Sequence, residues 1–400
     1  MPLLRDGGIT AVLTPSPNEA FHKACSDAGI QVAEEANVQF VKLADARRVK
    51  PGAPVAFVGG LWPGVQRPDP SVASATRTLW MDQNCSTIHY IRALHPGLSP
   101  VLAYKPDDDA GVKKDVILPF DSLELALVDS WVAGGNYLLS VDPRYREGLT
   151  KGTPEALASW KRLGRTAAWL RTNEKLFRQP ALPIITMLVE GDTTEEIAHL
   201  AFRHSLSPAL MSVKNAPAPD AAHRKVLVAV AIEAPDASAG KRILANAEAG
   251  STIVVEGLID KAWWKNPGLK FVREDPDRNY YSLGKGQVVA YKDAVSDPGS
   301  FALDVIDILT QKFRPARLWN CNAGLAMTSF GPEKGSALLH VINYGRTVDL
   351  PLLARIQGSF QKAVLLRPEA GSVELKVAPR GTGSEVQIPN LERVATVVFS

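Results

Sequence analysis

The chain predicts a mixed protein in three parts: an α/β region built like a reduced or partial (β/α) barrel, a small parallel α/β domain, and a C-terminal β-sandwich. Three observations carry this. Residues 1–178 alternate short apolar runs with amphipathic helical stretches, as parallel strands with helices outside them do. A separate strand–helix alternation occupies 179–312. From 313 to 400 the helical period gives way to short strands broken by Pro and Gly turns, the pattern of antiparallel sheets.

In the first region "ITAVLTP" (9–15) reads as a buried strand and "SPNEAFHKACSDAG" (16–29) as a helix. Ser16 is its expected N-cap, Pro17 suits N1, Glu19 completes a capping box and Gly29 stops it. "IQVAEE" (30–35) and "APVAFVGG" (53–60) are strands, and a helical stretch runs from Pro70 to about Leu94. "PVLAYKP" (100–106) is a strand, with "DVILPF" (115–120) extended after it. Asp121 and Glu124 are expected to cap the next helix, before the strand "NYLLSVD" (136–142). Thr153-Pro154-Glu155 starts a long amphipathic helix through Phe177. A complete eight-fold barrel takes about 250 residues. The region is therefore a reduced barrel, the later part of one, or an open doubly wound sheet.

In 179–312 the strand "IITMLVE" leads into the helix "TTEEIAHLAFRHS", and "KVLVAVAIE", "SAGKRILANAEAG" and "STIVVEG" repeat the alternation. This pattern resembles the class I glutamine amidotransferase fold. Those enzymes need a nucleophilic Cys on a sharp strand–helix turn with a His as base. No cysteine lies between Pro180 and Arg314, which excludes that nucleophile.

Residues 283–292, "LGKGQVVAYK", look at first like a phosphate loop. A phosphate loop stands between a strand and a helix. Here "RNYYSL" precedes the glycines and the β-like "QVVAYK" follows. The expectation is a hairpin whose glycines supply positive φ, with Lys285 at a solvated tip.

Composition narrows the class. Lys and Arg number 45 against 42 Asp and Glu, a net charge of +3, without the basic stripe of a nucleic-acid binder. Cys25, Cys85 and Cys321 lie far apart, and the seven histidines are scattered. Neither set gives a disulfide framework or a metal-binding spacing, and no cofactor is expected. No run reaches the 18 or so apolar residues of a membrane helix. The start "MPLLRDGGITAVLTP" does not read as a signal peptide, so a soluble protein is expected, with no address to place it in a compartment.

The segments "ILANAEAGSTIVVEG", "YYSLGKGQVVAYK", "ALLHVINYGRTVDLP" and "VQIPNLERVATVVF", taken with the domain order, resemble a group of bacterial β-galactosidases. That group has a barrel, an amidotransferase-like trimerisation domain and a C-terminal β domain. The resemblance covers roughly residues 120 to 400. It implies glycoside hydrolysis by two glutamates at barrel strand ends, a carbohydrate substrate, and a homo-oligomer formed through the middle domain. The barrel region is short for that group, and no catalytic glutamate transfers by motif. The alternative is a catalytically silent carbohydrate-binding or assembly protein that kept the architecture.

Glycoside hydrolysis needs two carboxylates about 5–5.5 Å apart for retention or about 6.5–9.5 Å for inversion, at the C-terminal ends of barrel strands. Glu34 and Glu35 close "IQVAEE", and alternation aims Glu34 inward. Asp142 ends "NYLLSVD" and Asp107 follows "VLAYKP". Asp142 reads equally as a turn residue before Pro143, Asp107 as part of a solvated triple-Asp loop, and Glu19 as a cap. Trp62 in "GGLWPG" and Tyr104 in "VLAYKP" are candidate sugar platforms. Trp80, Asp82 and Asn84 in "LWMDQN" suit a sugar only if that segment is a loop. Trp263 and Trp264 in "AWWKNPG" read either as an interface anchor or as a hydrophobic plug.

Overall fold

The structure is a computed structural model of the chain and describes residues 1–16, 18–49, 54–63, 82–104, 118–256, 262–321, 323–345 and 350–400. The first region runs α1 (Pro2–Asp6), β1 (Ala11–Thr14), α2 (Glu19–Asp27), β2 (Gln31–Glu34), β3 (Gln39–Lys42), β4 (Val55–Val58), α3 (Gln83–Leu94), β5 (Val101–Tyr104), α4 (Asp121–Val132), β6 (Asn136–Leu139), α5 (Pro143–Lys151), α6 (Pro154–Thr172) and α7 (Glu174–Phe177). β1 pairs in parallel with β2. β3, β4, β5 and β6 form a second parallel sheet in chain order. Each strand adds beside its predecessor, as βα units do when each helix returns the chain over the same face. Among the described residues these two arcs are separate sheets.

Several local expectations change. Asn18, not Ser16, caps α2: its Oδ1 accepts the Phe21 N–H at 2.8 Å, and Glu19 becomes the first helical residue. Pro17 lies outside the described residues. Asp121 and Glu124 do not cap α4; their oxygens face Arg162, because α6 packs directly on α4. The helix expected through Phe177 breaks at Asn173. β2 ends at Glu34, and Glu35 opens a short 3-10 turn. β3, in the weakly patterned "QFVK", was not anticipated by the sequence. Of the helix expected from Pro70, the described part begins at Gln83.

The middle region contains β7 (Ile185–Val189), α8 (Asp192–Arg203), β8 (Ala209–Ser212), β9 (Val226–Ala229), α9 (Ala237–Ala249), β10 (Thr252–Glu256), β11 (Lys270–Glu274), β12 (Arg278–Leu283), β13 (Gly286–Tyr291) and α10 (Pro298–Leu309). Its seven-stranded sheet has the order β11-β12-β13-β10-β9-β7-β8. The run from β13 to β8 is parallel, and β12 and β11 add antiparallel at one edge. β7 and β9 are buried throughout, as strands with both faces covered are. Gly284-Lys285 is the tip of the β12–β13 hairpin, with Leu283 opposite Gly286.

The C-terminal region is β14 (Ala316–Trp319), β15 (Gly324–Phe330), β16 (Ala337–Asn343), β17 (Leu352–Gln357), β18 (Ala363–Arg367), β19 (Ala370–Leu375), β20 (Ala378–Arg380), β21 (Gly383–Ile388) and β22 (Val394–Phe399). They form two antiparallel sheets, β14-β17-β21-β20 and β15-β16-β22-β18-β19. The apolar sides of both enter one core with the middle region: Ile356, Val386, Leu339 and Val397 cluster with Ile185, Val226 and Phe301. A second core joins α3, α4 and α6 to Leu325, Met327 and Ile342 of the C-terminal sheets. The three regions therefore share packing rather than hanging on linkers.

Candidate active site

The carboxyl ends of the parallel strands are where a barrel gathers chemistry. Tyr104 ends β5 and Trp62 follows β4, yet both are buried, at 0% and 1% exposure. Their rings lie 5.5 Å apart, tilted by 56°, and Tyr104 Oη is 2.8 Å from Ser130 Oγ. Gly60 permits this packing, since a Cβ there would stand 2.9 Å from the Tyr104 ring. A sugar platform needs a free ring face, and here the two aromatics pack on each other inside the core.

Asp142 is also largely buried. Its Oδ1 accepts the Arg144 N–H at 2.8 Å and caps α5, with Pro143 at the first helical position. Glu34 and Glu35 are exposed. Glu34 lies on the β1–β2 sheet, whereas β6, which leads to Asp142, lies in the other sheet. Asp107 and Trp80 lie outside the described residues.

A buried cluster of titratable groups stands at the junction of the three regions. Asp129 on α4 is fully buried. Its Oδ2 accepts Asn84 Nδ2 at 2.8 Å, and its Oδ1 accepts the Cys85 thiol at 3.0 Å and the Tyr344 hydroxyl. Burial raises the Asp129 pKa to about 7; the hydrogen bonds from Tyr344, Cys85 and Asn84 oppose the rise, and the charge on Asp82 adds to it. Burial and then Asp129 push the Cys85 thiol well up, so it acts as a donor and not as a thiolate nucleophile. Asp82, 1% exposed, meets His199 Nε2 at 3.0 Å and Arg203 Nε at 3.2 Å, both from α8. Asp82 and Asn84 belong to a segment that the sequence singled out. Cys85, Asp129 and Tyr344 were missed, although one charged residue inside the apolar "LALVDSWV" was a usable signal. Chemically the cluster holds a proton near neutrality, sealed from solvent, and ties α3 and α4 to the segment after β16.

In the middle region, Ala231 follows β9 with φ +52°, a conformation that costs an L-residue about 1–2 kcal/mol. An elbow nucleophile stands at such a strained strand-to-helix turn; here the side chain is a methyl group. Glu256, ending β10, holds the turn: Oε1 accepts the Ala231 N–H at 2.8 Å and Oε2 the Val295 N–H at 2.9 Å. Trp264 is buried beside Tyr281, and Trp263 Nε1 donates to Ile232 O at 2.8 Å. Trp264 is thus a local plug, and Trp263 is half-buried against the same core. Among the described residues no three His, Cys, Asp or Glu side chains are placed to hold a metal, and no helix is long and apolar enough to cross a membrane.

No family model matches the chain, and no curated protein matches it. Solved glycoside hydrolases share its fold. A β-galactosidase from Bacillus circulans sp. alkalophilus superposes with TM-score 0.55 at 11% identity, covering 88% of this chain and 64% of that one. The α-L-fucosidase isoenzyme 2 from Paenibacillus thiaminolyticus superposes with TM-score 0.51 at 10% identity, covering 100% of this chain and 95% of that one. The chain therefore spans less than two-thirds of the β-galactosidase but nearly the whole fucosidase.

Proposed function

We propose that this chain handles carbohydrate on a glycosidase scaffold. The observation that carries this is the end-to-end match to the α-L-fucosidase. In this reading residues 1–178 are a reduced (β/α) barrel, 179–312 an amidotransferase-like domain and 313–400 a β-sandwich. The protein is a homo-oligomer that takes a carbohydrate as substrate or ligand.

Hydrolysis requires a protonated carboxyl and a second carboxylate across the scissile bond. Glu34, Glu35 and Asp142 are the candidates for these roles, with Asp107 as a substrate contact. A second reading, binding or assembly without bond cleavage, is favoured by the packing of three predicted site residues. Trp62 and Tyr104 occupy each other's faces, and Asp142 spends an oxygen on a helix cap.

The test is turnover of a panel of aryl glycosides by the wild type and by Glu34→Gln, Glu35→Gln, Asp107→Asn and Asp142→Asn, with calorimetric titration of the corresponding free sugars. Turnover lost in one of these variants supports the hydrolase. Sugar binding without turnover supports the silent protein. The absence of both turnover and binding overturns the carbohydrate reading.

A further inference from the structure

The sheet β14-β17-β21-β20 turns one side to the core and the other outward. On β17, Leu352, Ala354 and Ile356 are buried, while Leu353, Arg355 and Gln357 alternate with them at partial exposure. Across the outer side Arg317 stands directly opposite Arg355, and Arg355 opposite Glu385. Like charges directly opposite each other destabilise a sheet. Both guanidiniums lie 4.9 Å from the centre of the Trp319 ring.

A groove of about 440 Å³ opens here, lined in part by Lys312, Arg314, Arg317, Arg355 and Arg380. Glu385 accepts Arg355 Nη2 at 2.8 Å and Arg380 Nε at 3.2 Å. Among the described residues no other carboxylate pairs with these five cations; five against one leaves a formal surplus of four. Arg314 donates from Nη2 to His204 O at 2.7 Å, while its Nε is sealed from solvent without a hydrogen-bond partner. Burial, then the nearby Arg317, lowers the Arg314 pKa. An anion in the groove relieves the repulsion between these cations.

We infer that this groove binds an anionic saccharide, a glycan bearing carboxylate or sulfate groups. The inference rests on the carbohydrate reading above and adds the ligand class and a site away from the strand ends. Guanidinium forks match planar oxyanions in pairs. The Trp319 ring, stacked under the Arg317 and Arg355 guanidiniums, holds the two cations side by side at the groove. Gln357 and Thr382, both on the groove, supply polar contacts for hydroxyls.

The test titrates the full chain with dextran sulfate, polygalacturonate, uncharged dextran, inorganic polyphosphate and single-stranded DNA. We expect one or both of the charged glycans to bind, uncharged dextran not to, and binding to weaken as salt shortens the screening length. Binding of one charged glycan alone identifies sulfate or carboxylate as the group read. Arg317→Glu and, separately, the exposed Lys312→Glu should each weaken that binding about tenfold or more, with unchanged thermal unfolding. Unaltered affinity in the Lys312 variant and in a folded Arg317 variant would overturn the proposal. Equal affinity for polyphosphate, or tighter DNA binding, removes the saccharide assignment. No anion binding, with turnover in the glycoside panel, sinks this inference and leaves the carbohydrate reading standing.

Discussion

Asn84 donates from Nδ2 to Asp129 Oδ2 at 2.8 Å, while its own amide brackets Leu61 through the Leu61 N–H at 2.9 Å and the Leu61 carbonyl at 2.8 Å. One side chain thereby joins the turn after β4 to α3 and α4. Tyr344 brings the C-terminal sheets to the same carboxylate. The burial that makes the joint rigid also raises the Asp129 pKa from 3.8 to about 7.

A pH dependence follows. The raised pKa means that folding favours the protonated carboxyl, so the stabilisation is full below about pH 4 and is lost as pH rises through about 7. His340 works the other way. Burial lowers its pKa from 6.5 to about 4, so its contribution is present above pH 6.5 and lost as pH falls toward 4. Asp129→Asn removes the first effect and keeps one oxygen acceptor for Cys85 and Tyr344, at the cost of the bond from Asn84. The variant should gain stability relative to wild type as pH rises from 5 to 8, by on the order of a few kcal/mol. Guanidinium unfolding midpoints at the two pH values measure this, and a wild-type-like slope counts against it.

The hairpin glycines are needed for space. Gly284 has φ +59°, and a Cβ there would meet Glu248 Cα at 2.5 Å; one on Gly286 would meet Ser251 O at 2.2 Å. Gly286→Ala should destabilise by roughly 2 kcal/mol or more in urea titration, because backbone must move. Lys285→Ala, at the exposed tip, should be silent in stability. ATP binding that Lys285→Ala abolished would restore the phosphate-loop idea.

Arg162 should matter more than a surface cation. It donates to Glu124 at 2.7 Å, and Thr166 Oγ1 donates to the same carboxylate at 2.7 Å. Glu124 is 2% exposed. Arg162→Ala strands a buried charge, which costs about 3–5 kcal/mol; Arg162→Ala combined with Glu124→Gln should recover much of that. Chemical denaturation of the single and double variants checks the recovery.

Self-association through the middle region is expected at the edge strand β11, where Phe271 and Val272 are 61% and 58% exposed. An uncovered edge presents unpaired backbone groups to a second copy. Light scattering at high micromolar concentration should show a species heavier than the 43.2 kDa chain, and Val272→Lys should reduce it. Only the monomer mass in the wild type would exclude this contact.

By itself the sequence determined the alternation of elements, the change from helical to antiparallel pattern near residue 313, and the hairpin at Gly284. Those depend on local periodicity and on glycine backbone freedom, which neighbouring residues report. Tertiary structure decided what the candidate side chains face. Trp62 and Tyr104 read as strand-end aromatics, but only the third dimension shows them packed on each other. Asp142 reads as a carboxylate for chemistry or as a turn residue before Pro143, and where its oxygen points makes it the cap of α5. Asn84, Asp129 and Tyr344 lie 45 and 215 positions apart along the chain, so no local window contains them. Their meeting, and the burial that raises the Asp129 pKa against the pull of these hydrogen bonds, need residues of all three regions.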